Sequence, residues 1–306
     1  MSDVLSAEVP DSLAGERTDK AVAALAGVSR AVARDMVDRG SVTLDGAPAV
    51  PSQRVRAGSR LTWPRHAPEY RMMPDATVPF GVVYEDADLA VISKPAGVVV
   101  HRGAGNTTRT LVHGLLARWP HIEGVGEAGR WGIVHRLDRD TSGALVVALT
   151  ARAHTALTAQ IAARAVHRVY TALAAGRFDM ATGTIDAPIG RDPVAATRMT
   201  VQPEGRPART HYRRVAEWAD PVVTLLEVTL DTGRTHQIRV HLAAIGHAVV
   251  GDTTYRPGPD PVTSPRIFLH AAALGFDHPI TGARIEVEVP LPDDLAGVVT
   301  VLGPSV

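Results

Sequence analysis

Apolar positions along this chain fall into two regimes with a break between them. From Thr18 to Leu25 and from Ser29 to Asp38 the spacing predicts two short helices, with Gly27 between them and Ser29 placed as an N-cap. Gly40 stops the second helix. Val42 to Leu44 and Ala47 to Val50 then flank Asp45-Gly46, a strong hairpin signal, and Arg60 to Trp63 reads as a closing strand. Residues 1–15 read as an irregular or extended lead-in, so the first module is expected over 16–65. Pro64, Pro68, Pro74 and Pro79 punctuate the break, which has few apolar residues to bury and reads as a Pro-rich linker over 66–79.

The second regime, 80–306, mixes both periods. Val82 to Tyr84 and Leu89 to Ser93 read as short strands, Lys94-Pro95-Ala96-Gly97 as a tight turn, and Val98 to Val100 as extended again. Thr110 to Trp119 predicts a helix ended by Pro120. Gly143 to Leu149 is nearly all apolar, the pattern of a strand covered on both faces. Ala153 to Ala165 reads as a helix, Val166 to Leu173 and Val222 to Leu230 as strands, and Thr235 to Ile245 as a helix capped by Gly246. Prolines 257, 259, 261 and 265 mark a surface loop, and Ile285 to Val289 alternates as an edge strand would. Strands and helices interleave irregularly, which predicts an α+β fold with a mixed sheet.

Composition narrows the chemistry. Of 306 residues, 45% are apolar and 21% charged, as in globular proteins. There are zero cysteines, which excludes thiolate nucleophiles and Cys-ligated zinc. Cysteine-dependent RNA methylation and zinc-dependent base deamination are excluded with them in their usual forms. No stretch reads as a secretory signal or a membrane span, so a cytoplasmic location is expected. Net charge is zero, but unevenly spread: residues 17–65 carry nine Lys/Arg against four Asp/Glu, and 198–214 five Arg against one Glu. Arg30 and Arg34, four apart, share one helix face suited to a phosphate backbone.

The polar turn before the buried strand, His135-Arg136-Leu137-Asp138-Arg139-Asp140-Thr141-Ser142, is the candidate for chemistry. A reactive group is well held at the mouth of a buried strand, although Asp138, Asp140 and Ser142 would equally make a turn. A phosphohydrolase nucleophile would follow an apolar strand, whereas here the apolar run comes after the acid. His236 and His241 are five apart, one too many for a helical zinc pair. Gly103-Ala104-Gly105-Asn106 lacks the spacing and the lysine of a nucleotide loop. No metal and no cofactor are expected. What remains is an acid among arginines, with Arg234 and Arg239 offering guanidinium partners from a separate segment.

These segments carry a resemblance. His135 to Gly143 resembles the active-site motif of the RluA-type pseudouridine synthases, and Gly233 to Leu242 is similar to their second signature. Tyr84-Glu85-Asp86, Lys94 to Gly97, Arg168 to Ala172, Pro188 to Arg191, Gly251-Asp252 and Leu269 to Ala271 match in the family's order, so the resemblance runs from about Ala7 to Leu295. His101-Arg102 departs from the usual His-Pro. Glu16 to Lys20, Gly27 to Arg30, Arg39 to Gly46 and Ala57 to Leu61 resemble the small α-L RNA-binding domain, with Thr18 and Asp45 standing where Leu and Asn are usual.

The resemblance implies an isomerase that converts uridine in RNA, most expectedly large-subunit ribosomal RNA, to pseudouridine. The N1–C1′ bond breaks and C5 joins C1′, with nothing added. It implies Asp138 as the catalytic carboxylate, either nucleophile at C1′ or base at C2′, with Arg239 as its ion-pair partner. Tyr170 would lie against the uracil, Arg136 would fill the space left by a flipped base, and Leu242 would pack on that base. A tRNA synthase, or a non-catalytic RNA-binding or ribosome-assembly factor, is the alternative. A monomer is the expected state.

Overall fold

Thr18–Ala26 (α1) and Arg30–Asp38 (α2) are the two helices expected, and Ala21, Val22, Ala33, Met36 and Val37 turn their apolar faces into one small core. A computed structural model describes residues 4–28, 30–65, 72–102, 108–195, 197–256 and 258–306. Ser29, Pro68, Pro257 and the Gly103 to Asn106 segment lie outside the described residues. The chain divides into two compact units, Met1–Met73 and Pro74–Val306.

The helices of the first unit pack on a four-stranded sheet ordered β1-β4-β2-β3, made of Val4–Glu8 (β1), Thr43–Leu44 (β2), Ala47–Pro48 (β3) and Arg60–Pro64 (β4). Asp45 (φ 53°) and Gly46 (φ 84°) both take positive φ, as a type I′ hairpin turn requires. Within the lead-in, β1 pairs along its whole length with β4, Val4 opposite Pro64 and Glu8 opposite Arg60. So short a segment can enter a sheet as an edge strand because backbone pairing does not depend on a long hydrophobic run.

The second unit is built on a nine-stranded mixed sheet. Its strands are Gly81–Glu85 (β5), Leu89–Lys94 (β6), Ser142–Ala148 (β7), His167–Ala175 (β8) and Thr182–Asp186 (β9), followed after a separate hairpin by four more. That hairpin is Ile189–Arg191 (β10) and Met199–Val201 (β11), a two-stranded sheet of its own. The remaining strands are Arg209–Ala219 (β12), Val222–Leu230 (β13), Leu269–Asp277 (β14) and Arg284–Glu288 (β15). The order is β5-β6-β7-β14-β8-β13-β12-β9, with β15 paired to β14. All pairings are antiparallel except β7 with β14. Helices Leu111–Arg118 (α3), Ala151–Ala162 (α4), Gln237–Ala244 (α5) and Asp293–Leu302 (α6) accompany it.

Every residue of β7 is buried, as its unbroken apolar run requires. At its start the backbone of β14 comes so close that a Cβ on Gly143 (φ +116°) would overlap the Ala271 carbonyl oxygen, so only glycine fits. One expectation fails in this unit: the linker does not extend to 79. Asp75 N–H donates to the His113 carbonyl at 2.9 Å and Val78 is buried, so the stretch after Pro74 is packed structure. Among the described residues, no helix is long and apolar enough to cross a membrane.

Candidate active site

Strand β7 delivers Asp138. The loop before it is held from two sides. The Lys94 ammonium, fully buried, donates to the carbonyls of Arg139 (2.9 Å), Pro95 (2.7 Å) and Val98 (2.9 Å), and Gly97 N–H donates to the same Arg139 carbonyl. Burial pulls Lys94 down to about 7, against the charges of Asp140 and Asp138 that favour the ammonium. From the other side, Arg266 donates to the Asp140 carbonyl (3.3 Å) and to Ser142 Oγ (3.0 Å), and is itself ion-paired to Asp294 (2.6 Å) in the first turn of α6. His135 accepts the Val146 N–H at Nε2 (3.1 Å), and burial holds its pKa down at about 3, so the ring is neutral.

Asp138 opens onto a cavity of about 380 Å³ between this loop, β8 and the segment running from the end of β13 into α5. Arg239, one turn into α5, reaches it with Nη1 at 3.3 Å from Oδ2. The same guanidinium gives its fork to Asp252, Nε to Oδ2 at 2.7 Å and Nη2 to Oδ1 at 2.9 Å. Asp252 is the site residue that residue-by-residue reading left without a role, although the Gly251-Asp252 pair was visible. Burial would raise its pKa, but the Arg239 fork and charge, with the N–H groups of Thr254 and Tyr255, hold it below the usual range. A bidentate, charge-assisted pair of this kind fixes the guanidinium plane, and the third donor is thereby aimed at Asp138.

His236, in left-handed conformation (φ 58°), stands at the start of α5 with Nε2 4.0 Å from Asp138 Oδ1. Its Nδ1 is 2.8 Å from Tyr255 Oη, and that oxygen accepts the Met199 N–H at 2.9 Å. Burial lowers the His236 pKa against the pull of Asp138. A neutral ring facing a carboxylate keeps its proton on Nε2, which makes Nδ1 the acceptor of the Tyr255 hydroxyl. The turn carrying these residues is fastened by Gln237, whose amide donates to the Arg209 carbonyl and Thr210 Oγ1 and accepts from Thr232 and the Arg234 N–H. His241 uses both ring nitrogens, on Thr210 Oγ1 and the Ala187 carbonyl, so it is spoken for within the fold.

Tyr170, buried on β8, lines the cavity, and burial raises its pKa, with Asp138 adding and Arg168 opposing. It stays a neutral phenol at neutral pH. Arg136 lines the cavity from an exposed position, its Nη1 3.3 Å from His101 Nε2. Asp138, Arg239, Tyr170 and Arg136 are thus gathered around one space. Leu242 is not: it is fully buried and absent from the cavity lining, while Ile238, one turn earlier on α5, occupies that wall. The expectation that Leu242 meets the cavity is corrected to Ile238. Arg30 and Arg34 lie in the first unit, ion-paired to Asp19 (3.3 Å) and Asp38 (3.3 Å) respectively. Among the described residues Asp86, Asp88 and His278 place ligand-type atoms within 4.8 Å of one another. Their carboxylates already accept Tyr84, Thr150, Arg152 and two backbone N–H groups.

A carboxylate beside an oriented guanidinium and a buried phenol thus line one cavity in a chain without cysteine. The family model for RNA pseudouridylate synthase matches residues 88–244, and the chain belongs to that family. It is an isomerase. Relatives agree along nearly its whole length. A ribosomal large subunit pseudouridine synthase D from Nitrosomonas europaea is 44% identical over 297 residues, covering 94% of this chain and 85% of that one. An RNA pseudouridine synthase from Chloroflexus aurantiacus is 49% identical, covering 94% and 90%. The solved human RNA pseudouridylate synthase domain containing 1 superposes with a TM-score of 0.57 at 28% identity, covering 76% of this chain and 97% of its own. The resemblance to RluA-type synthases, and the α+β mixed-sheet fold it implied, are borne out.

Proposed function

We propose that this chain isomerises uridine to pseudouridine in large-subunit ribosomal RNA, in the cytoplasm, with Asp138 as the catalytic carboxylate. The observation that carries the reading is the Asp138–Arg239–Asp252 arrangement. Asp138 lies beside a guanidinium whose orientation is set by a second acid, and it lines the cavity. Either route needs that carboxylate. As nucleophile it attacks C1′ while N1 leaves with the glycosidic electron pair; as base it takes the C2′ proton and the same bond breaks. On the first route C5 displaces the carboxylate from C1′; on the second C5 adds at C1′ while Asp138 returns the proton to C2′. In both the C5 proton is then lost and N1 ends protonated, with Tyr170, on the cavity wall, lying against the uracil during that step. Arg136, exposed at the cavity, fills the gap a flipped nucleotide leaves, the unstacking costing a few kcal/mol.

The first unit, residues 16–65 in particular, acts as an RNA-binding module through Arg30 and Arg34; Asp19 keeps its Arg17 pair when Arg30 turns to a phosphate, and Arg34–Asp38 is a weak i,i+4 pair. The protein acts as a monomer and without metal or cofactor, since the isomerisation adds and removes no group. Relatives named for the large ribosomal subunit support the choice of RNA. Asp138→Ala is expected to abolish tritium release from C5-labelled uridine in RNA while RNA binding persists. Turnover near wild type in that variant would remove Asp138 from its role.

A further inference from the structure

The cavity is not electrically balanced. Its lining carries Arg136, Arg164, Arg168, Arg234 and Arg239 against Asp138 and Asp231. Both acids are engaged, Asp138 by Arg239 and Asp231 by Arg209 (3.7 Å) and His211 (3.2 Å). The surplus is concentrated on the wall that the isomerisation chemistry leaves unused.

Arg168 is its centre. It lies two residues before Tyr170 on β8, so both side chains face the same side. Arg168 is 6% exposed, yet no carboxylate pairs with it among the described residues. Its Nη2 donates to the Leu230 carbonyl at 3.3 Å, and its buried Nε has no partner. A buried cation with donors unused and no counter-ion is costly, and such a group in a binding cavity is kept for an anion that arrives with the ligand. The fold also makes room for it: a Cβ on Gly233 would stand 2.8 Å from Arg168 Nη1, so glycine lets the guanidinium reach into the cavity past the β13–α5 turn.

Two rim arginines extend the site. Arg164 takes the left-handed position that closes α4 (φ 61°), its N–H bonded to the Ile161 carbonyl, where glycine is the usual choice. An arginine there accepts strain to carry a cation to the cavity edge. Arg234 donates Nε to the Pro207 carbonyl (3.0 Å) and faces no carboxylate among the described residues. Desolvation first, then repulsion from Arg206 and Arg164, lowers its pKa, the mark of like charges gathered together.

We propose that Arg168, with Arg164 and Arg234 at the rim, forms a phosphate subsite that takes a backbone phosphate of the RNA beside the nucleotide whose base reaches Asp138. The subsite rests on the reading of the cavity as a nucleotide site. It explains how an enzyme that must accept a flipped uridine registers C1′ against Asp138. A phosphate held by a guanidinium fork fixes the backbone next to the reacting ribose. The phosphate is either the 5′ or the 3′ neighbour of the target.

The test titrates uridine, uridine 5′-monophosphate and uridine 3′-monophosphate into the full-length protein by NMR. Wild type is expected to prefer one monophosphate over uridine by about tenfold, and Arg168→Gln to bring that preference below about threefold, with Arg168→Lys between. Which monophosphate is preferred identifies the neighbour. On RNA, Arg168→Gln is expected to raise KM about tenfold and to reduce the logarithmic salt slope by about 0.7. The proposal is overturned by a wild type that binds uridine and both monophosphates equally. It is also overturned by an Arg168→Gln protein that keeps the preference, or by one that loses kcat with KM and salt slope unchanged. Should Arg168→Gln fail to fold, the double variant Arg164→Gln/Arg234→Gln reads the same preference, and its persistence there overturns the subsite. A wild type that prefers a monophosphate yet releases no tritium from ribosomal RNA removes the isomerisation reading and leaves the subsite standing.

Discussion

Two carboxylates in this protein sit among arginines, and they are finished differently. Asp19 of the first unit is 2% exposed and takes Arg17 through both oxygens (3.1 and 3.0 Å) and Arg30 through both as well (3.3 Å). Burial alone would raise its pKa, but the Arg17 hydrogen bonds and the two guanidinium charges bring it below the usual range. Asp138 of the second unit is 18% exposed and receives one bond of 3.3 Å, from a guanidinium that has given its fork elsewhere. The first carboxylate is saturated and serves packing: it fastens α1 and α2. The second keeps lone pairs free toward a cavity. A carboxylate is available for chemistry when its counter-ion is oriented by something else, and Asp252 is that something.

Breaking this contrast should produce the largest effects. Arg239→Ala strips Asp252 and Asp138 of their shared partner. Turnover should fall about 10³-fold or more, and stability by ~3–5 kcal/mol in urea unfolding, since a buried anion is left unpaired. An unchanged melting temperature would put Asp252 in a different class from Asp19. Asp19→Asn should cost about 3 kcal/mol, by the same argument, yet leave kcat on RNA untouched. A drop in kcat there would erase the distinction between a packing acid and a reacting one. Asp252→Asn sharpens it further: kcat should fall up to about 10²-fold with KM little changed, because Arg239 is still present but no longer aimed.

A pH series separates the frame of the site from its chemistry. The pKa of His135 is about 3 in the folded protein against its ordinary 6.5. Between those values the unfolded chain binds the proton and the native ring does not. This contribution to stability is therefore complete above pH 6.5 and is lost as pH falls toward 3. His135→Gln, whose amide oxygen can still accept the Val146 N–H, should flatten that acid slope in denaturation curves run from pH 7 to 4. The smallest effect is expected at Arg34→Ala. Its i,i+4 pair with Asp38 is worth ~0.3–0.5 kcal/mol, while the salt dependence of RNA binding should weaken measurably.

The sequence was most legible where one segment carries both a pattern and a residue. Strand β7 announced itself because both of its faces are buried, and Asp138 because it stands at that strand's mouth. Val222–Leu230 was readable to the residue because Val, Thr and Leu dominate it. Strand β12 was not. It holds Arg209, Arg213 and Arg214, ion-paired to Asp186, Glu227 and Glu217, so no hydrophobic alternation marks it. Helix α6 was not read from the sequence, although Asp293 and Asp294 occupy its first turn, where the helix dipole favours negative charge. Asp252 and Tyr255 escaped because their partners lie 13 or more residues away and in the fold alone do they converge.

The Tyr255 ring lies between two guanidinium groups, Arg239 at 5.0 Å and Arg198 at 5.4 Å, and its hydroxyl joins Met199 to His236. The β10–β11 hairpin therefore meets the reaction centre at a joint whose polar half is a main-chain amide. Any residue but proline at 199 supplies that donor. The joint's apolar half is side-chain packing, Ile189, Met199 and Val201 lying against Tyr255 and against Val240 and Ala243 of α5, so the hairpin and the helix that carries Arg239 share one small core.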